Sequence, residues 1–199
     1  ESKIFVVGNT IVDSVYQNIE LADKKVNMLN KLNIEKERYF LLTAHRQENV
    51  DDKERLSNIL KSLELIYNKY KMPIIYPMHP RTRKMIQEFN LKVPDGVKVL
   101  EPISFLEFLQ LEANTKVMIT DSGGIQEETC ILKIPCVTIR DNTERPETLE
   151  VGSNMLAGVK PERILECVNI MFNKARNWKQ PFGDGTTSIK VLDIISKLK

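Results

Sequence analysis

Val117-Met118-Ile119-Thr120-Asp121-Ser122-Gly123-Gly124-Ile125-Gln126-Glu127-Glu128 changes its period partway through. The first three side chains form an uninterrupted apolar run, as in a strand buried on both faces. From Gly124 to Leu132 the spacing is helical, and the junction holds the chain's only Gly-Gly pair. The same alternation extends in both directions. Toward the amino end, Phe105 to Ala113 reads as a helix, Val97-Lys98-Val99-Leu100 as a strand, 81 to 90 as a helix and Ile74-Ile75-Tyr76 as a strand. Leu56, Ile59, Leu60, Leu63, Ile66, Tyr67 and Tyr70 form one helical stripe, and Phe40-Leu41-Leu42-Thr43-Ala44 is a short buried strand before it. Toward the carboxyl end come a strand at Cys136-Val137-Thr138-Ile139, a short helix opened by Pro146, and a strand at Met155-Leu156-Ala157. A helix led by Pro161 follows, then a closing helix at about 187–198, with Asn177 to Gly185 as the loop between them. Repeated strand-helix units predict an α/β fold, a parallel sheet covered by helices on both faces.

The chain's 199 residues are ample for one core. Its 29 basic and 27 acidic side chains nearly cancel, leaving +2, which argues against a dedicated nucleic-acid or membrane-surface protein. No apolar run reaches the ~20 residues of a transmembrane helix. Cys130, Cys136 and Cys167 fit no metal-ligand spacing, so a reduced, cytoplasmic setting is expected, with no metal. The chain starts at Glu1 and reaches the apolar run Ile4-Phe5-Val6-Val7 at once, which suggests a fragment opening in mid-structure, without a signal peptide.

In an open parallel sheet, ligands bind beyond the carboxyl ends of the strands. Those ends carry His45-Arg46-Gln47-Glu48-Asn49, His79-Pro80-Arg81, Glu101-Pro102, Asp121-Ser122-Gly123-Gly124 and Arg140-Asp141-Asn142-Thr143-Glu144-Arg145. Both histidines of the chain fall on this rim. At Asp121-Ser122-Gly123-Gly124, free N–H groups and the dipole of the following helix would suit a phosphate or diphosphate. The alternative is a plain cap, with Asp121 or Ser122 capping and the glycines turning the chain. Glu128, one turn into that helix, is either a ribose-diol acceptor or a solvated glutamate. His45 can bind a phosphate oxygen or move a proton. Arg145 offers a guanidinium fork to phosphate or sugar, or else pairs with Glu144 or Glu147 on the surface. His79 and Glu48 are weaker candidates, and Arg46 adds charge to the rim. Asp-Ser-Gly-Gly also occurs around the nucleophile of chymotrypsin-like proteases, but those proteins are all-β, Thr120 precedes Asp121 here, and no Gly-x-Ser-x-Gly elbow is present. The absence of Gly-x-Gly-x-x-Gly gives no support to nicotinamide or flavin binding.

Taken together, these residues resemble the non-hydrolysing UDP-N-acetylglucosamine 2-epimerases. The likeness is carried by Gly8-Asn9-Thr10 with Asp13, Thr43 to Asn49, Thr120 to Glu128, Arg140 to Glu147 with Gly152, and Pro181-Phe182-Gly183-Asp184-Gly185. Ile103 departs from the family pattern, which has glutamine there, so any contact at that point is expected from backbone. The resemblance implies the carboxyl-terminal half of a GT-B fold: a three-layer Rossmann-like domain over 1–199, with an interdomain segment at about 1–20 and the closing helix, the amino-terminal half being absent. It implies interconversion of UDP-GlcNAc and UDP-ManNAc without a cofactor, with substrate contacts at His45, Phe108, Ser122, Gly123, Gly124, Glu128 and Arg145. His45 is the catalytic candidate, on the departing diphosphate, and Phe108 is assigned to the uracil region or else to core packing. It also implies a homodimer of the full-length chain. The competing expectations are a GT-B glycosyltransferase using a UDP-sugar, a hydrolysing epimerase, and a non-catalytic nucleotide-sugar binding module.

Overall fold

A computed structural model describes residues 4–197. Six strands form one parallel sheet: β1 (Phe40–Thr43), β2 (Ile74–Pro77), β3 (Val97–Leu100), β4 (Val117–Thr120), β5 (Cys136–Thr138) and β6 (Asn154–Leu156), in the order β3-β2-β1-β4-β5-β6. β1 and β4 pair in full register, Phe40 with Val117 through Thr43 with Thr120. Successive side chains on a strand point to opposite faces. Phe40, Leu42, Ile74, Tyr76, Val117, Ile119 and Val137 therefore share one face, and Leu41, Ile75, Met118 and Cys136 the other.

The first face is covered by α4 (Lys53–Tyr70) through Leu56, Ile59, Leu60, Leu63 and Ile66, and by α9 (Pro161–Phe172) through Ile164, Cys167, Val168 and Met171. α5 (Pro80–Glu88) adds Ile86. The second face is covered by α2 (Met28–Leu32), α6 (Phe105–Asn114) and α7 (Gly123–Leu132). Beyond them α1 (Thr10–Lys25) packs on α6 and α7, and its Val12 and Val15 join Cys130, Ile131, Trp178 and Phe182 in a third apolar cluster. The short α3 (Gln47–Val50) and α8 (Pro146–Glu150) sit at the rim, and α10 (Thr187–Lys197) closes the described chain. Leu198, at the end of the expected closing helix, and Glu1 to Lys3 lie outside the described residues.

The expected strands and large helices are present, so the three-layer parallel architecture holds. α1, α2 and α3 are additions. α1 is capped by the Asn9 side chain on Ile11 N–H, and Asp13 accepts hydrogen bonds from the Thr187 and Ser188 N–H groups and the Ser188 hydroxyl. Asn9 N–H also donates to Phe182 C=O at 2.8 Å. Gly8-Asn9-Thr10, Asp13 and the Phe182-Gly183 loop are thus one clasp. At the sheet's edges, β6 is three residues long, and the β3 edge carries Lys98, whose Nζ donates to Leu32 C=O at the end of α2. Among the described residues no helix is long and apolar enough to cross a membrane.

Candidate functional site

The strand order reverses between β1 and β4, so the loops leaving these two neighbours diverge and open a crevice there. One residue ties the two loops together. Asp121, fully buried at the end of β4, accepts at Oδ2 from His45 N–H (2.9 Å), Arg46 N–H (2.9 Å) and Asn49 Nδ2 (3.2 Å). Its Oδ1 lies 3.2 Å from His45 Nδ1. Asp121 therefore does not cap α7 as the plain-cap alternative required, but organises the loop after β1. Burial works to raise its pKa, but the His45 hydrogen bond and the Arg46 and His45 N–H groups prevail and hold it below the usual carboxylate value. Asp121 likewise raises the His45 pKa against the pull of burial, favouring an imidazolium. With Nδ1 facing Asp121, the other ring nitrogen is left to a ligand, and the side chain is 42% exposed.

Ser122, at the N-cap position of α7, makes no side-chain capping bond, and its own N–H is taken by Thr120 Oγ1 at 2.9 Å. Neither Gly123 nor Gly124 has a positive φ. A Cβ on Gly123 would meet only Glu144 Oε2 at an ordinary 3.7 Å, and one on Gly124 would meet nothing within 4 Å. Backbone strain and packing therefore give no reason for glycine at either position. Gly124 leaves the approach to the amide N–H groups at the positive end of a ten-residue helix clear of side chain, while Gly123 is itself buried.

Beside this lies a pocket of ≈ 270 Å³ lined by Thr43, Ala44, His45, Pro77, Met78, His79, Pro102, Ile103 and Phe108. Phe108, half-buried on α6, contributes to that wall as well as to the core. Ile103 lies on the same wall. His79 is the exposed N-cap of α5, its Nδ1 accepting from Arg81 N–H at 3.2 Å, with its ring 6.3 Å from that of His45.

The remaining candidates divide. Glu48 turns to Arg140, with Oε1 3.1 Å from Nε. Arg140, its side chain only 7% exposed, is also held by Glu144 (2.7 and 3.0 Å) and Asn142. Glu48 thus belongs to the scaffold. Arg140 neutralises Glu144, the carboxylate next to Gly123, and holds its pKa down to about 2. Arg145 makes no surface ion pair with Glu144 or Glu147; its Nη1 donates only to the Glu144 backbone C=O, at 2.9 Å. Its Nε is 2.9 Å from the nearly buried Glu127, whose other oxygen accepts from Asn9 Nδ2 at 3.1 Å. The Arg145 side chain remains 35% exposed at the rim. Arg46 is half-buried near His45. Glu128 is not a solvated glutamate: burial, offset in part by a hydrogen bond with Glu112, raises its pKa to about 7, and Glu127 adds to the rise.

The chain is similar to known proteins over nearly its whole length. Residues 1–196 match the family described as UDP-N-acetylglucosamine 2-epimerase. The UDP-N-acetylglucosamine 2-epimerase of Methanocaldococcus jannaschii is 52% identical over 98% of this chain and 55% of its own length. The crystal structure of the M. jannaschii UDP-GlcNAc 2-epimerase in complex with UDP-GlcNAc and UDP superposes with a TM-score of 0.90, covering 99% of this chain and 56% of that one. The Neisseria meningitidis enzyme bound to UDP-GlcNAc, 31% identical, gives 0.85 over 98% and 56%. The chain spans about half the length of the curated relatives it matches.

Proposed function

The chain belongs to the UDP-N-acetylglucosamine 2-epimerase family, and from that premise we propose that it is the nucleotide-binding, carboxyl-terminal half of an enzyme that interconverts UDP-GlcNAc and UDP-ManNAc by expelling UDP and adding it back. The observation that carries this reading is the start of α7: uncapped amide N–H groups beneath two glycines that neither strain nor packing requires, next to an imidazole held by Asp121.

The chemistry explains why such a grip is needed. The C2 proton of the sugar is not adjacent to a carbonyl, so its direct removal is very costly. If the C1–oxygen bond breaks as that proton leaves, an alkene forms across C1 and C2, and the bond's electrons pass to the diphosphate. Donors aimed at the oxygens where this charge develops lower the barrier. The Gly123-Gly124 amides, the α7 dipole and the His45 imidazolium fill that role, with His45 able to place a proton on the leaving diphosphate. Re-addition of UDP with the proton delivered to the opposite face completes the epimerisation. Ser122 joins the phosphate grip, Phe108 faces the uracil in the apolar pocket, Glu128 accepts from the ribose hydroxyls and Arg145 contacts phosphate or sugar from the rim. The base that takes the C2 proton belongs to the other half of the enzyme, so 199 residues alone bind UDP weakly and turn over nothing. On the same grounds we infer a cytoplasmic homodimer of the full-length chain; the three free, buried cysteines suit a reducing setting.

The test is to give the full-length protein UDP-GlcNAc in D2O. UDP-ManNAc carrying deuterium at C2 is expected. Free ManNAc as the main product would make it a hydrolysing enzyme, and transfer of the sugar to an acceptor would make it a glycosyltransferase.

A further inference from the structure

The second face of the sheet hides a carboxyl that the substrate-contact set does not use. Glu112 on α6 is fully buried, and neither of its oxygens meets a hydrogen-bond donor among the described residues. Its one polar neighbour of consequence is another acid, for Glu112 and Glu128 lie within hydrogen-bonding reach of each other. Two carboxylates offer only acceptors, so the pair is satisfied when one of them carries a proton and donates it.

The placement is specific. Phe108 and Glu112 are four residues apart on α6, and Gly124 and Glu128 four apart on α7, so each pair shares a helix face. Phe108 lines the apolar pocket, and Gly124 opens onto the crevice. Glu128 therefore sits one turn behind the anion site, and Glu112 one turn behind the base pocket and deeper. We propose that Glu112 is a positioning residue for nucleotide recognition: its neutral carboxyl donates to Glu128 and leaves the rest of the Glu128 carboxylate fixed for the ribose hydroxyls.

The surrounding charges agree. Burial drives Glu112 well above the ordinary glutamate range and Glu128 adds to this, so the shared proton rests on Glu112. Glu127 presses Glu128 upward but is itself engaged by Arg145 and Asn9. Cys136 on β5 is neutral, its thiol pushed up to about 12 by burial. On α1, Asp13 is occupied by Thr187 and Ser188, and on α6, Glu107 by Ser104 and Lys31. The donor to Glu128 is accordingly Glu112.

This inference rests on the ribose role of Glu128, and the experiment separates the two. Binding of UDP and of its 2′,3′-dideoxy analogue to the full-length protein is measured by calorimetry across pH for wild type, E112M, E112Q and E128Q. E112M is expected to weaken UDP about tenfold, to leave the dideoxy analogue unchanged and to raise the pH below which UDP affinity falls. E112Q, whose amide still donates, should stay within about threefold of wild type. Infrared spectroscopy should show a protonated-carboxyl stretch at about pH 8 that E112Q lacks, which decides the matter even if E112M fails to fold. Because a buried acid costs stability once the pH exceeds its ordinary value, E112Q should melt no lower than wild type at neutral pH. Equal effects of E112M on both ligands, no effect on either, damage by E112Q equal to that by E112M, or a missing stretch in wild type would overturn the proposal. If E128Q keeps the full preference for UDP over the dideoxy analogue, the ribose role fails instead, while the stretch still reports the Glu112 proton.

Discussion

Asp121 Oδ1 lies 3.2 Å from His45 Nδ1, and Oδ2 of the same carboxylate takes the His45 backbone N–H. One buried acid thus fixes where the imidazole sits and which of its nitrogens faces the crevice.

The first prediction concerns pH. The folded-state pKa of His45 is raised, so its ion pair stabilises the fold fully below the ordinary value of 6.5 and is lost as pH rises through the folded value. Asp121 is shifted downward, so its contribution is present above its ordinary value of 3.8 and fades as pH falls through the folded one. UDP affinity should decline as pH rises through the His45 titration. D121N should lower that midpoint and, in the full-length protein, reduce kcat/KM by about 100-fold. The chain has only two histidines, so both can be followed by NMR. An unchanged His45 titration in D121N would remove Asp121 from this role.

Gly124 offers a separation of stability from binding. Because a Cβ there meets nothing within 4 Å, G124A should alter stability by no more than about 1 kcal/mol, in the stabilising direction. The same methyl should obstruct the phosphate and weaken UDP by at least about tenfold. Melting and calorimetry on one sample suffice, and unchanged UDP affinity would place the diphosphate elsewhere.

Arg140 should behave as framework. Its nearly buried guanidinium holds the half-exposed Glu48 and Glu144 together, and R140A should cost about 1 kcal/mol, because both carboxylates stay solvated once it is gone. Glu48 is half-exposed, so E48Q should cost under about 1 kcal/mol and leave KM for UDP-GlcNAc unchanged. A large KM effect of E48Q would return Glu48 to the list of ligand contacts.

Asp13 should govern the closing helix. D13A removes the acceptor for two N–H groups and a hydroxyl at the start of α10, and should cost about 1–2 kcal/mol. Hydrogen exchange should then quicken across Thr187–Lys197 and leave β1 and β4 protected.

The sheet was legible because its strands are continuous apolar runs and most of its helices carry a full apolar stripe. α1 was not, because it buries little more than Val12, Val15 and Ala22, with the acid Asp13 among them. α3, at four residues, is too short to show a period. The rim residues could be read from strand ends alone. Their connections could not: His45 and Asp121 are 76 positions apart, and Asn9 and Glu127 118. Glu128 shows the same limit. Its place on the helix was readable, but its burial depends on a neighbouring helix whose Glu112 carries no local signal of being a buried acid.

The two ends of the sheet bear on self-association. An open strand edge is a template for further pairing, and runaway pairing leads to aggregates. Here one edge is three residues long, and the other has its middle side chain, Lys98, drawn over to a helix carbonyl. Neither offers a long, flat ladder to another chain. Copies of this protein are therefore expected to meet through helical surfaces, and the sheet to stay six strands wide in any assembly it enters.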